Sequence, residues 1–393
     1  MRYNSLNTLF AGSYRKMAAV MKMVGKTLWN IIGLTVALLL LFLIFMIIPQ
    51  FGKAPSGRRQ AGIEASVHYK NGRFHNLEHT PMFVEQSGNK RMFPKFLFRN
   101  KKDLRPTFRI PSVATRLKDL PSGQNLLVWF GHSSYYFQLE GKRFLVDPVL
   151  GRRASPVPGM LRAFRGTVVF RVEELPPIDY LLITHDHYDH LDYRTIKKLR
   201  RKVGVVVCGL GVGSHLSYWG YPASKIIEKD WNESLMLDDK IRLYTETSRH
   251  FSGRFLSRNN TLWLSYVIKT PGYSLFIGGD GGYGSHVAEI GKKHGPFDLA
   301  VLENGQYNAL WRNIHHFPED VLRSARDLSA RRVLPVHSGK FSLAFHPWDE
   351  PLTRLSELNR QSPEPVPLVT PLIGQVVELD NENQVFSEWW LKP

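Results

Sequence analysis

Thr184-His185-Asp186-His187-Tyr188-Asp189-His190-Leu191-Asp192 packs three histidines and two aspartates into the six residues 185–190, directly after the apolar run Leu181-Leu182-Ile183. That run reads as a strand, and a loop leaving a strand end is where layered α/β proteins place their ligands. So many ionisable groups in one short loop would be costly in charge and desolvation if they only filled space. As metal ligands they make sense, because neutral imidazole and carboxylate oxygen both suit Zn²⁺.

One loop cannot enclose two metals, so further donors are expected at other strand ends. His250 follows Ile241-Arg242-Leu243-Tyr244-Thr245-Glu246, Asp280 follows Ser274-Leu275-Phe276-Ile277, and His337 follows Arg332-Val333-Leu334-Pro335-Val336. Each alone would be an ordinary loop residue; with the first loop they form a set of ligands.

Working outward, short β-favouring runs bounded by Gly, Pro and Asp predict strands over 126–130, 135–139, 143–146, 180–183, 203–208, 261–267, 274–277, 299–302 and 332–336. Helices are predicted over 193–202, 285–294 and 318–330; the last opens on Pro318-Glu319-Asp320, with Pro and acids in the first turn. The pattern is a layered α/β protein with two sheets between helices. Cys208, the only cysteine, lies in an apolar run and is expected in the core, so no intrachain disulfide is possible.

The N-terminus is of a different kind. No charged residue occurs from Thr27 to Gly52, and Ile31 to Ile48 is apolar almost throughout. About 20 such residues cross a bilayer as a helix. Pro49-Gln50-Phe51-Gly52-Lys53 lacks the small residues of a signal-peptidase site. The expected organisation is a basic segment 1–26, a transmembrane helix 27–52, a linker 53–62 and a catalytic domain 63–393 that begins with an extension, 63–124. Basic residues flank the span on both sides; their slight excess before it favours a cytoplasmic N-terminus and an extracytoplasmic catalytic domain.

With 43% hydrophobic and 22% charged residues, the composition excludes a disordered chain. The balance of 52 Lys+Arg against 34 Asp+Glu, net +18, favours anionic partners without choosing among them.

His185, His187, Asp189, His190, His250, Asp280 and His337, in that order, resemble the metal signature of the metallo-β-lactamase superfamily, which implies an αβ/βα sandwich and two zinc ions per chain. The resemblance assigns His185, His187 and His250 to one ion and Asp189, His190 and His337 to the other, with Asp280 between them. It narrows through Tyr69–Asn76, Trp129–Ser134, Leu145–Pro148, Gly278–Tyr283, Gly295–Ala300, His315–Glu319 and Val336–Phe341, which look like N-acylphosphatidylethanolamine phospholipase D and its bacterial relatives over roughly residues 65 to 350. The same likeness implies a catalytic role for Asp189 and a substrate-side role for His315, with His132 and Asp147 supporting the ligands. The chain departs from the lipase pattern at Leu77-Glu78-His79-Thr80, Gly281, Ser338 and Leu302–Tyr307, positions that line the approach to the metals in the family.

The expected function is a membrane-anchored hydrolase of phosphodiesters in an anionic bilayer. A lactonase or β-lactamase-like hydrolase is the first alternative, and a non-catalytic zinc-binding protein the second. No nucleic-acid partner is expected, because the short stretch between His250 and Asp280 leaves no room for a clamping domain. The sequence is silent on oligomeric state.

Overall fold

The structure is a computed structural model that describes residues 3–84, 103–157 and 159–391. Residues 85–102 of the expected extension, and the side chains of the first fifteen residues, lie outside the described ones. The chain divides into two units, Met1–Phe51 and Gly52–Pro393.

The first unit is a helix, Tyr3–Met46, with a short turn of 3₁₀ helix at Pro49–Phe51. Within it Lys16–Met46 is long and apolar enough to cross a membrane. Two of its hydroxyls are satisfied locally: Thr27 and Thr35 donate to the carbonyls of Met23 and Ile31. That leaves no unpaired hydroxyl at those positions to be desolvated in lipid.

The second unit holds two sheets. A small hairpin, β1 (Tyr69–Lys70) and β2 (Arg73–Phe74), precedes them. The first sheet contains β3 (Leu126–Trp129), β4 (Tyr135–Leu139), β5 (Lys142–Val146), β6 (Ile178–Ile183), β7 (Val203–Gly209), β8 (Ile226–Lys229) and the late strand β15 (Val376–Glu378). Its order is β15-β3-β4-β5-β6-β7-β8. The second contains β9 (Glu233–Met236), β10 (Arg242–Glu246), β11 (Ser265–Lys269), β12 (Ser274–Ile277), β13 (Leu299–Glu303) and β14 (Val333–Val336), in the order β14-β13-β12-β11-β10-β9.

Period-2 alternation builds the layers. On β6, Tyr180 and Leu182 face the second sheet and share a core with Tyr266, Ile268 and Leu275, while Leu181 and Ile183 face the helices Tyr193–Leu199 and Gly213–Tyr218. The second sheet turns Phe276, Ala300 and Leu302 towards the helices Ser285–His294, Pro318–Asp327 and Glu350–Gln361. Strands buried on both faces read as unbroken apolar runs, which is why these were visible in the sequence. Cys208 is buried among them. The architecture is the expected sandwich of two sheets between helices.

Two segments differ from the sequence expectation. The strand read over 261–267 is Ser265–Lys269; before it, Leu262 and Leu264 donate their amides across to Leu210 and Thr184 of the first sheet, so their apolar character serves the seam between sheets. Where the composition of 53–62 reads as linker, the chain forms a helix, Arg58–Glu64, tied down by Arg59 to Glu228 at 2.6 Å and by the Lys53 amide to His215 at 3.0 Å.

Strand direction fixes where the site can form. In the first sheet β3, β5 and β6 run the same way, and in the second β10, β12, β13 and β14 do. The C-terminal ends of the strands within each sheet therefore lie along one edge.

Gly291 shows how tightly the outer helices are set. It sits inside a helix, where Ala would be favoured by about 1 kcal/mol, yet a Cβ there would fall well inside contact distance of the Asp327 carbonyl oxygen. Gly291→Ala is expected to cost about 1–3 kcal/mol through overpacking, read as a lower midpoint in urea unfolding; an unchanged or higher midpoint would show that the two helices can separate at no cost.

Candidate metal centre

Seven strand ends deliver the polar residues of the site. His132 follows β3, Asp147 follows β5, and His185 to His190 follow β6; from the second sheet come His250 after β10, Asp280 after β12, Glu303 at the end of β13 and His337 after β14. All are buried except His187 and Tyr188, which are half-buried.

The ring nitrogens His185 Nε2 and His187 Nδ1 lie 2.8 Å apart, and His187 Nδ1 and His250 Nε2 lie 3.3 Å apart. Nitrogens bound about 2.05 Å from one tetrahedral ion stand about 3.3 Å from each other. His132, Asp189, His190 and His337 form a second group. Asp280 lies between the groups: Oδ2 is 3.1 Å from His190 Nε2 and 3.9 Å from both His185 Nε2 and His250 Nε2, while Oδ1 is 3.2 Å from His337 Nδ1.

Several of these groups are aimed by a second contact. Asp147 accepts from the Thr184 amide at 2.8 Å and hydroxyl at 2.5 Å, and its Oδ2 holds His190 Nδ1 at 2.8 Å, which turns Nε2 inward. His250 Nδ1 donates to the Ile314 carbonyl at 2.9 Å, and its backbone is clamped in both directions by Asn76 of the extension. His132 Nε2 holds Asp189 Oδ2 at 2.9 Å. The His132 amide donates to the Ser338 carbonyl and the His337 amide to that of His132, tying the two sheets together. His132, Asp147 and His337 all have left-handed backbones, at φ 57°, 41° and 68°. Such strain costs about 1–3 kcal/mol per residue and gathers at functional sites.

Burial pushes the imidazoles of His185, His250 and His337 well below their ordinary pKa, and neighbouring imidazoles add to the effect. His187 is brought down to about 4, again mainly by burial. These rings are therefore neutral, as ligation requires. Burial raises Asp280 to about 7, against the pull of His190. His190 Nε2 faces Asp280 Oδ2 at 3.1 Å, and despite burial the charges of Asp280 and Asp189 and the hydrogen bond to Asp147 push His190 well above its ordinary pKa, while Asp280 Oδ1 is buried with no hydrogen-bond partner among the described residues. Converging nitrogens, the four neutral rings and the buried carboxylates fit the binding of divalent metal.

Three features escaped the sequence reading. Asp186 faces away from the centre and braces its loop, accepting from Gly253 N, Thr261 Oγ1 and His215 Nε2 at 2.7, 2.9 and 3.2 Å. Arg254 donates to the carbonyls of Asp186 and Leu191. Glu303 is a further buried carboxylate beside His315 and His337, and its place at a strand end was the available signal. His315 sits where its ring meets both His250 and His337, with centroids 5.2 and 5.7 Å away.

A family model described as the beta-lactamase superfamily domain matches residues 142–338, half of the chain, and spans His185 to His337. The chain belongs to the metallo-β-lactamase superfamily. An uncharacterised Mycobacterium tuberculosis protein is 39% identical over 83% of this chain and 88% of its own length. An N-acyl-phosphatidylethanolamine-hydrolyzing phospholipase D of Caenorhabditis elegans is 28% identical over 64% of this chain and 74% of its own. Among solved structures, isothiocyanate hydrolase from Delia radicum gut bacteria covers 64% of this chain and 98% of its own, with a TM-score of 0.51 and 19% identity, a likeness of fold. The superfamily is one of metal-dependent hydrolases, and the described residues hold histidine and aspartate clusters that could bind metal.

Asp147→Asn tests the aiming of His190. Losing the carboxylate is expected to weaken metal binding 10- to 100-fold while leaving the unfolding transition cooperative. Competition against a chromogenic chelator measures it; affinity equal to wild type would remove Asp147 from the metal centre.

Proposed function

We propose that this chain is a membrane-anchored dinuclear zinc hydrolase of phospholipase D type, acting on N-acylphosphatidylethanolamine-like phosphodiesters. The observation that carries it is Asp280, a buried carboxylate within 4 Å of imidazoles from both ligand groups. One group would comprise His185, His187 and His250, the other Asp189, His190 and His337. Four or more neutral imidazoles with carboxylates are a donor set that suits zinc over magnesium or calcium, which prefer all-oxygen shells.

Two zinc ions would supply, when bound, Lewis acidity and a water acidified towards neutrality. The protein's own part is positioning. Asp147 and the Ile314 carbonyl hold His190 and His250 with Nε2 inward. Asp189, held by His132, offers a carboxylate beside the reacting centre. His315 is the side chain placed to move a proton at the substrate, since an imidazole against both ligand groups can reach a leaving oxygen there.

Three observations support the membrane phosphodiester: the apolar helix Lys16–Met46, the net charge of +18, and the kinship with a phospholipase D. Between His250 and Asp280 the chain forms a loop and the strands β11 and β12. A single-pass arrangement with the catalytic unit outside the cytoplasm accords with the flanking charge.

The purified protein is expected to hold close to two zinc ions per chain by elemental analysis; one tightly held ion in fully active protein would overturn the dinuclear reading. Asp280→Asn should abolish turnover with the fold retained, because an amide cannot balance two cations. Hydrolysis of N-acylphosphatidylethanolamine micelles in oxygen-18 water should place the label in phosphatidic acid. Label in free fatty acid, or fast lactone opening without lipid turnover, would move the assignment to the carbon-centred alternative.

A further inference from the structure

Glu303 is a carboxylate that none of the expected roles absorbs. It ends β13, is 1% exposed, and belongs to the segment Leu302–Tyr307 where this chain departs from the lipase pattern. One of its oxygens, Oε2, accepts the Gly281 amide at 2.7 Å, next to Asp280. The carboxylate also accepts the backbone amide of His316, and Oε1 is in close contact with His315 Nδ1. His337 Nε2 is further away, 3.8 Å from Oε1.

These contacts decide between two roles. A carboxylate held by two backbone amides and an imidazole is committed to those donors and is poorly placed to serve as a further metal ligand. What it does control is His315. A carboxylate on one ring nitrogen fixes the tautomer and the ring plane and leaves the other nitrogen to work. His315 lies between the rings of His250 and His337, one from each ligand group. His316 is fixed separately, its Nδ1 in close contact with the Gly281 carbonyl and its Nε2 2.8 Å from Ser324 Oγ, so the backbone that carries His315 is anchored on both sides.

We propose that Glu303 is the positioning residue for His315, holding the proton on Nδ1 so that Nε2 shuttles a proton from attacking water to the leaving oxygen. In the balanced step, a bond forms from water oxygen to the attacked centre and the bond to the leaving oxygen breaks with its electron pair. One water proton passes to Nε2, Nε2 returns a proton to the leaving oxygen, and an alcohol departs with His315 restored. The inference rests on the hydrolase reading and is independent of whether phosphorus or carbon is attacked.

The test is a leaving-group series on the zinc-loaded full chain in detergent, with Glu303→Gln, His315→Gln and the double variant, run on phosphodiesters and in parallel on carboxylic esters. Glu303→Gln should lower kcat about 100- to 1,000-fold for alkyl leaving groups and only a few-fold for nitrophenyl ones, which need no proton. KM and zinc content should match wild type, and the double variant should be no slower than His315→Gln alone. Equal loss across all leaving groups with zinc released would make Glu303 a ligand, and multiplying losses in the double variant would show that it does not act through His315; either overturns the proposal. If only carboxylic esters turn over, the substrate reading fails while this series still decides the pair. Should Glu303→Gln not fold, Glu303→Asp, which withdraws the carboxylate by one methylene, carries the same comparison.

Discussion

Ionisable groups buried at one edge of two sheets set the constraint under which the rest of this fold is arranged. An isolated charge taken into a protein interior costs several kcal/mol even after relaxation, and here Asp189, Asp280 and Glu303 are buried together. Alone they answer by shifting protonation, as the elevated Asp280 shows. A cation between the ligand groups would satisfy Asp280 and the neutral imidazoles at once. The fold must therefore bring donors from both sheets to one place, and the shared direction of the delivering strands within each sheet is the means.

Holding donors there requires a second set of contacts. Asp147, His132, the Ile314 carbonyl and Asn76 each orient a ligand or its backbone. Asp186 does the same from behind the first loop, where His215 and Thr261 bind it. His215 also accepts the Lys53 amide, so the segment just after the apolar helix is built into the support of the metal loop. Burial by itself would raise the pKa of the Asp186 carboxyl, but the hydrogen bond and charge of His215, with the charges of His187 and Arg254, outweigh it and hold the group below the ordinary carboxylate range.

Legibility followed the same division. Strands buried on both faces announced themselves as apolar runs, and the donors at their ends were legible because histidine and aspartate after such runs have few other uses. β8, β9 and β15 carry mixed or exposed residues and gave no comparable pattern; β9 has Glu233 and Met236 exposed. The misplacement of the strand at 261–267 has the same origin, since Leu262 and Leu264 are buried in a seam between sheets and look, in sequence, like a ladder. Supporting residues such as Asp186 and Glu303 were hidden because their partners lie far away in the chain, and only the assembled fold shows which way a carboxylate points.

The departures from the lipase pattern acquire a physical reason when they are placed side by side. A Cβ at position 281 would crowd the Ser248 hydroxyl and sit tightly against the Arg249 amide, so a larger residue after Asp280 requires the Ser248 side chain to move. Glycine there leaves the 281 amide free to approach Glu303, and Glu303 in turn holds His315 and His316. Ser338, small and buried after His337, stands beside Gly305, whose own missing side chain lets the 337–338 backbone pass close by. Gly281, Glu303, Gly305 and Ser338 thus form one contiguous packing solution around the metal centre.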